Sequence, residues 1–303
     1  MNIRRYVVGV DGSIPARAAI RWAIERAHDN SADLTLVHVA DDQWGAIGSV
    51  LVDEYNQGAM QLLADEVAYA GSLGSDVTIH ADLRFGSPMM ELSSYSEPST
   101  MLVVGTHKTG VHYDRPFGSR ILQLANLATG PVAIIPGTAP SVRRGVVVGV
   151  DDTPAGRAAI ALAADWAHEH HCELTAVRST VASATPSAFE MKSNVGRLES
   201  TTRHDEARAI LKAAVGYAKD RQPGIVVQSR IAELPPGVSL NEFARHAGLL
   251  VIGDSRRAQA QFGSLGAVAY DVLLNLTSPT IVVHTPAGDR APQAETHDAH
   301  ALR

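Results

Sequence analysis

Short apolar runs alternate with longer segments of helical spacing along the chain. The run from Tyr6 to Val10 has the length of a buried parallel strand, and apolar residues recur at helical spacing from Pro15 to His28, with Ser13 as the predicted N-cap. The same reasoning predicts, for the rest of the first half, strands Leu34 to Val39, Val77 to Leu83, Met101 to Gly105 and Val132 to Ile135, and helices Ala59 to Ala70, Pro88 onward and Ser119 to Ala128. Five strands with helical crossovers predict an α/β doubly wound domain, a mainly parallel five-stranded sheet with helices on both faces.

The second half of the chain repeats the first. The stretch Val7 to Asp11 returns as Val147 to Asp151, a shift of 140 residues, and Leu102 to Gly105 matches Leu250 to Gly253 at a shift of 148. Ordered matches at two constant shifts indicate a duplicated domain. The strands predicted for the second copy are Val146 to Val150, Glu173 to Val177, Ile225 to Ile231, Leu249 to Gly253 and Thr280 to His284.

The repeat divides the chain into two predicted domains and a tail. We place the domains at residues 1–143 and 144–287, here called the N-terminal and C-terminal halves, because the stretch from Thr138 to Ser141 has the composition of a linker. Residues 288–303 lack an apolar period and are predicted to be a disordered tail. The segments Asp41 to Gln57 and Ala182 to Arg203 show no regular pattern, and the second is polar enough that we expect mobility.

The last strand of each half would leave an apolar edge open if it stayed alone. Edges of this kind tend to pair, so we expect Val132 to Ile135 to lie near Thr280 to His284, in a pseudo-dimer within one chain. A homodimer of the whole chain stays open as an addition to this arrangement.

Composition and charge exclude several classes of protein. The 303 residues carry 26 basic and 32 acidic side chains, a net charge of -6, and this mild acidity argues against a nucleic-acid partner. No apolar run is long enough to span a membrane, and the N-terminus has no leader pattern, so we expect a cytoplasmic protein with no membrane contact.

The single cysteine offers little chemistry. Cys172 can form neither an internal disulfide nor, by itself, a zinc site. His168, His170 and His171 lie close to it, but a helix end with solvent-facing histidines is a commoner cause of this spacing than a metal site. We therefore expect no metal site in the protein itself.

Candidate chemistry follows the first and fourth strands. Asp11 and Ser13 come directly after the first strand, and a glycine-containing loop runs from Gly105 to Gly118 before a helix at Ser119. Glycines let backbone amides approach a phosphate, and a helix start adds unpaired N–H groups and a positive dipole end. A nucleotide with its sugar or base near Asp11 fits this pattern. The alternative, that Asp11 and Ser13 only cap a helix and the glycines only turn the chain, fits equally well.

These motifs resemble the universal stress protein family. The strand and turn Val8 to Ser13, the Arg-Ala-Ala helix after it, the Gly-Ser pair before a later helix and the closing Pro-Val strand occur over nearly the whole chain, twice, so the likeness is to a tandem universal stress protein. Family members that bind ATP carry a glycine, two residues, a second glycine, nine residues and then Gly-Ser or Gly-Thr. Gly105 takes the first position and Gly118-Ser119 the last, whereas Lys108 stands where the second glycine is expected.

The resemblance implies a nucleotide site in each half, the second one weaker. Asp11 would contact adenine or ribose, with Val10 and Val39 against the base. The residues expected at the first site are Gly9, Val10, Asp11, Val39, Val104, Gly105, Lys108, Gly110, Gly118, Ser119 and Arg120. The residues expected at the second are Val150, Asp151, Gly253, Arg256 and Gly266.

The second site departs further from the family pattern. Ala267 follows Gly266, so the hydroxyl of the closing pair is lost, and Ser179 stands where the first half has Val39. A competing register through Phe262 to Ser264 would shorten the loop. The ungapped alignment is preferred, and we expect the second site to bind weakly or not at all.

The function implied by the resemblance is a stress-response or regulatory protein that binds ATP or a related adenine nucleotide, with Mg²⁺ as a candidate companion and a protein partner of unknown identity. The sequence has no Walker A lysine motif and no His or Cys placed as an obvious nucleophile, so we expect no enzyme. Two alternatives stay open. One is a nucleotide-independent interaction protein with relic sites, and the other is a slow ATP hydrolase or self-phosphorylating protein acting through Ser119.

Overall fold

The protein forms ten strands and eight helices in the part of the chain that this computed structural model describes, residues 3–41, 49–74, 76–106, 119–137, 144–181, 195–254 and 265–284. Those of the N-terminal half are β1 (Arg5–Gly9), α1 (Ile14–Asp29), β2 (Asp33–Ala40), α2 (Ser49–Ser72), β3 (Ile79–Phe85), α3 (Pro88–Ser93), β4 (Thr100–Thr106), α4 (Ser119–Leu127) and β5 (Val132–Pro136). Those of the C-terminal half are β6 (Val146–Gly149), α5 (Pro154–Glu169), β7 (Leu174–Ser179), α6 (Val195–Arg221), β8 (Val227–Ala232), α7 (Pro236–Ala244), β9 (Leu249–Asp254), α8 (Ala267–Leu274) and β10 (Thr280–His284).

Both halves contribute to one ten-stranded sheet of order β3-β2-β1-β4-β5-β10-β9-β6-β7-β8. Every pairing within a half is parallel. Helices α1, α2, α5 and α6 supply the apolar core on one face, and α3, α4, α7 and α8 supply the core on the other. The predicted doubly wound α/β architecture, present twice, is confirmed.

The two halves join through their last strands. β5 and β10 pair antiparallel, with Ile134 opposite Thr280, Ala133 opposite Ile281 and Val132 opposite Val282. All residues of both strands are buried. The prediction that these strands lie together is confirmed, and the reason is that pairing covers two apolar edges at once.

The first helix of each half begins in the same way. The Ser13 hydroxyl accepts a hydrogen bond from the Ala16 amide at 3.2 Å, which confirms Ser13 as the N-cap of α1. In α5 the hydroxyl of Thr153 accepts from the Gly156 amide at 3.0 Å. A proline follows each cap in the first turn, where its missing N–H costs nothing.

Two segments that the sequence left without a regular pattern contain helix. α2 starts at Ser49 rather than Ala59, and α6 starts at Val195, so the segments 41–57 and 182–203 are helical in part and the expectation of irregular structure there was wrong. The physical reason is exposure. Residues 53–55 and 201–203 are exposed, and among the residues whose burial the structure describes, the first buried positions of these two helices are Ala59 and Ala207. Helical turns that do not pack on the sheet leave no apolar period in the sequence.

Smaller differences concern strand ends. β3 and β8 both begin two residues later than predicted, at Ile79 and Val227. The proposed junction at residues 138–143 and the predicted tail at 288–303 lie outside the described residues, so the domain limits stay predictions.

An aromatic cluster connects α1 to α5 across the junction of the halves. The rings of Trp22 and Trp166 stack with centroids 5.7 Å apart, and the ring of His170 stacks on Trp166 at 4.5 Å. The guanidinium of Arg26 lies 4.6 Å from the Trp22 centroid and 4.9 Å from that of Trp166. The Arg26 side chain is only 15% exposed, and this burial lowers the pKa of its guanidinium. The cluster therefore joins the two halves on the face opposite to α4 and α8.

Candidate functional site

The strand order of the N-terminal half reverses between β1 and β4. β1 pairs with β2 on one side and with β4 on the other, so the crossovers that follow β1 and β4 run in opposite directions along the sheet. Such a reversal leaves a crevice beyond the carboxyl ends of the two strands, where open α/β sheets bind ligands. The predicted residues Gly9, Val10 and Asp11 lie at the end of β1, and Val104 and Gly105 lie at the end of β4. The structure thus brings these predicted site residues to one edge.

A tight turn fixes the carboxylate of Asp11 at this edge. Gly12 has φ of +77°, a left-handed conformation that favours glycine, and the Ser13 amide donates to Oδ1 of Asp11 at 3.0 Å. Asp11 is exposed, and its Oδ2 accepts no hydrogen bond from any residue that the structure describes. One carboxylate oxygen is therefore held by the turn while the other faces outward.

The end of β2 presents backbone groups to the same crevice. The Val10 amide donates to the Val37 carbonyl at 2.9 Å, which is the last backbone bond between β1 and β2. Backbone groups alternate in direction along a strand, so those of Val39 point to the same side as those of Val37. Because β1 has ended there, Val39 faces none of the described strands on that side. Nδ1 of His38, on the same stretch, lies 2.8 Å from the Val10 carbonyl oxygen.

Gly105 has a packing reason to be glycine. A Cβ atom added there would lie 2.2 Å from the carbonyl carbon and oxygen of Pro15 and 2.6 Å from the Ala16 amide nitrogen, all in the backbone of α1. The matching Gly253 meets the backbone of Ala155 at 2.6 Å in the same way. The first turn of α1 or α5 lies directly on the fourth strand of its half, and this contact alone requires a glycine, whatever the following loop binds.

The structure describes only some of the remaining predicted residues of the first site. Lys108, Gly110 and Gly118 lie outside the described residues. Ser119 is the first residue of α4, and Arg120, next to it, is exposed.

The corresponding edge of the C-terminal half is bonded more completely. Oδ1 of Asp151 accepts from both the amide and the hydroxyl of Thr153, at 3.0 and 2.6 Å. Arg178 takes the place of His38 and donates to the Val150 carbonyl at 3.1 Å. The hydroxyl of Ser179 donates to the Leu234 carbonyl at 2.6 Å. A polar side chain tied to a neighbouring loop therefore replaces the apolar Val39 of the first half.

Two residues at this second edge were not anticipated from the sequence. The Gly266 amide donates to Oδ1 of Asp254 at 2.8 Å, and Nδ1 of His284 lies 3.2 Å from Oδ2 of the same carboxylate. The available signal was a polar residue at the end of each of two otherwise apolar strands, Leu249–Asp254 and Thr280–His284. Arg256, the predicted residue between Gly253 and Gly266, lies outside the described residues.

The described ranges also bear on metal binding and on membrane crossing. No group of three or more His, Cys, Asp or Glu side chains there is arranged to hold a metal ion. Burial raises the pKa of the Cys172 thiol. No described helix combines the length and the apolar character that crossing a membrane requires.

The fold and this edge define a duplicated doubly wound α/β protein with a crevice at the strand reversal of each half. The model of the universal stress protein family matches the chain twice, at residues 2–136 and 143–284. The chain therefore belongs to the universal stress protein family, as a tandem of two such domains, and this family consists of stress-response proteins.

Individual relatives are similar over nearly the full length. A universal stress protein of Mycolicibacterium smegmatis is 28% identical over 293 residues, which cover 91% of this chain and 96% of the relative. A solved universal stress protein of Archaeoglobus fulgidus has the same fold, with a TM-score of 0.67 at 15% identity over 94% of this chain and 97% of the other. Another structure from that organism, in complex with dAMP, covers 47% of this chain and 98% of its own, with 22% identity and a TM-score of 0.33.

Proposed function

We propose that the N-terminal half binds an adenine nucleotide, with ATP as the first choice, in the crevice between β1 and β4, and that the protein acts in a stress response as a binding or regulatory module rather than as an enzyme. One observation carries this proposal. At the strand reversal, an exposed carboxylate held by a tight turn at Asp11 follows β1, at the edge of the sheet where Val39 faces none of the described strands.

The chemistry of this edge suits a nucleoside. Val39 offers a backbone N–H and a C=O on the side where β1 has ended, and a purine has both acceptors and donors on its rim. The outward Oδ2 of Asp11 can only accept, so it suits a ribose hydroxyl or the exocyclic amino group of adenine. Val10 and Val39 supply apolar contact for the ring, as small-molecule sites usually do.

The phosphates would lie toward the start of α4. A helix start offers backbone N–H groups and the positive end of the dipole, and α4 begins at Ser119 with Arg120 exposed beside it. Gly118 belongs to this part of the proposal through the family pattern, and Gly110 or the charge of Lys108 would replace the phosphate contact of the missing second glycine. Mg²⁺ would enter with the phosphates, since it is commonly held by one or two carboxylates together with substrate phosphates.

One packing contact, at Gly105, favours a second candidate function. The close packing of Gly105 on the backbone of α1 would preserve this glycine even in a protein that binds no nucleotide. That contact favours the alternative of an interaction protein whose nucleotide sites are relics. Calorimetric titration of the full chain with ATP separates the two functions, since only the first predicts heat of binding.

Replacing Asp11 by Ala tests the site itself. We expect the dissociation constant for ATP to rise roughly tenfold to a hundredfold, because a hydrogen bond to a charged group contributes about 1.5 to 3 kcal/mol. Asp151→Ala is the matched control, since Asp151 accepts from the turn of the C-terminal half just as Asp11 does in the first. It should leave the affinity of the tight site unchanged. Equal affinities for the wild type and Asp11→Ala would show that Asp11 does not contact the ligand.

A further inference from the structure

The carboxylate of Asp254 lies at the start of α8. Gly266 is the N-cap of this helix and, being a glycine, offers no side chain to accept a hydrogen bond. Oδ1 of Asp254 accepts from the Gly266 amide at 2.8 Å instead, although the two residues are twelve positions apart. An ideal Cβ at Gly266 would lie 3.0 Å from this same oxygen, so the carboxylate is in close contact with the helix start. A negative charge in this place is stabilised by the helix dipole.

His284 fixes the other side of the same carboxylate. Nδ1 of His284 lies 3.2 Å from Oδ2 of Asp254, and the two side chains are only 3% and 0% exposed. A buried carboxylate is costly unless its oxygens are bonded, and here the helix start binds one and the imidazole the other. The carboxylate is therefore buried in the C-terminal half and held on both sides.

The N-terminal half lacks this pair. By the shift of 148 residues, the end of β4 at Thr106 corresponds to Asp254, and the end of β5 at Pro136 corresponds to His284. Neither residue carries a carboxylate or an imidazole. The first residue of α4 corresponds in the same way to Ala267, the first residue of α8. The two halves thus share a helix start, but only the C-terminal half carries a carboxylate and an imidazole at these two strand ends.

We propose that Asp254 is a built-in anion that occupies, at the start of α8, the place where a nucleotide phosphate would lie at the start of α4, and that it thereby excludes phosphates from the C-terminal half. The location of the phosphates in this comparison rests on the proposed function of the N-terminal half. Two anions against one helix start repel each other strongly where water is excluded. The Gly266 amide is also already engaged. The chain consequently holds one nucleotide, and the C-terminal half keeps its fold without one.

The test gives the C-terminal half, within the full chain, the two corresponding residues of the N-terminal half, in what we call the exchange variant. Asp254→Thr combined with His284→Pro places the residues of the first half in the second, and ATP bound per chain is counted by native mass spectrometry and by calorimetry. We expect one nucleotide for the wild type and two for the exchange variant. Adding Asp11→Ala to the exchange variant should weaken one site only, which locates the new site in the C-terminal half. If circular dichroism shows that the exchange variant is not folded, Asp254→Ala takes its place in the test. This single variant too should bind a second nucleotide.

Each outcome decides the proposal. Two nucleotides on the wild type would overturn it, because the second would be bound with Asp254 in place. Folded variants that bind no more than the wild type would overturn it as well. A wild type that binds none, with a variant that binds one, would refute the proposed function of the N-terminal half and support the role of Asp254. No binding by either protein would refute both.

Discussion

Gly105→Ala is expected to lower the free energy of unfolding by about 3 kcal/mol, at the upper end of the usual cost of overpacking a core. The added methyl would lie 2.2 Å from the carbonyl carbon and oxygen of Pro15 and 2.6 Å from the Ala16 nitrogen. These are backbone atoms in the first turn of α1, so relief requires the helix to move away from β4. Urea unfolding followed by circular dichroism measures the loss.

Gly58→Ala is the matched control for this substitution. Gly58 is an exposed residue of α2, and an ideal Cβ there has no atom within 4 Å. Alanine should stabilise the helix by about 0.5 to 1 kcal/mol, because glycine loses more conformational freedom on folding. The two glycine-to-alanine changes are therefore expected to have opposite signs. A Gly105→Ala protein as stable as the wild type would mean that α1 does not lie directly on β4.

Trp166→Ala is expected to lower the free energy of unfolding by about 2 kcal/mol, because Trp166 packs at the junction of the halves. The substitution removes the ring that stacks on Trp22 and His170 and against which the buried guanidinium of Arg26 lies. Truncating a fully buried Trp typically costs about 3 to 5 kcal/mol, and Trp166 is only partly buried. The loss of the cation–π contact adds to the cost.

The control for this junction is Tyr270→Ala. Tyr270 lies on α8 and is 46% exposed, so its truncation should change stability little. A second readout is the near-ultraviolet circular dichroism of the stacked indoles of Trp22 and Trp166, which should be lost in Trp166→Ala and kept in the control. Unchanged stability together with an unchanged spectrum would contradict the stacked arrangement.

The sequence by itself determined the duplicated architecture. Matches at constant shifts, from Val7 to Asp11 and from Leu102 to Gly105, do not depend on folding, and buried parallel strands reveal themselves as short apolar runs. The N-cap at Ser13 was predictable because capping is local in sequence. The pairing of β5 with β10 was also predictable, since an apolar strand at the edge of each half needs a partner.

Exposure hid other features from the sequence. Residues 53–55 of α2 and 201–203 of α6 are exposed and carry no apolar period, so pattern reasoning placed the start of α2 too late and left the segment 182–203 without a helix. The glycine pattern was ambiguous for a different reason, because the same glycine can serve both ligand binding and backbone packing. Gly105 fits a phosphate loop, but only the tertiary structure reveals that the backbone of α1 lies against it.

The contact between Asp254 and His284 was decided by tertiary structure alone. These residues are thirty positions apart, and they meet because β9 and β10 are neighbours whose ends lie opposite one another. A buried polar pair has no periodicity, and each member alone looks like an ordinary strand end. The pair bears on ligand binding because the fold also places the start of α8, through the Gly266 amide, against the same carboxylate. Sequence spacing specifies which strands and helices form, whereas the meeting of distant polar groups depends on how those elements pack.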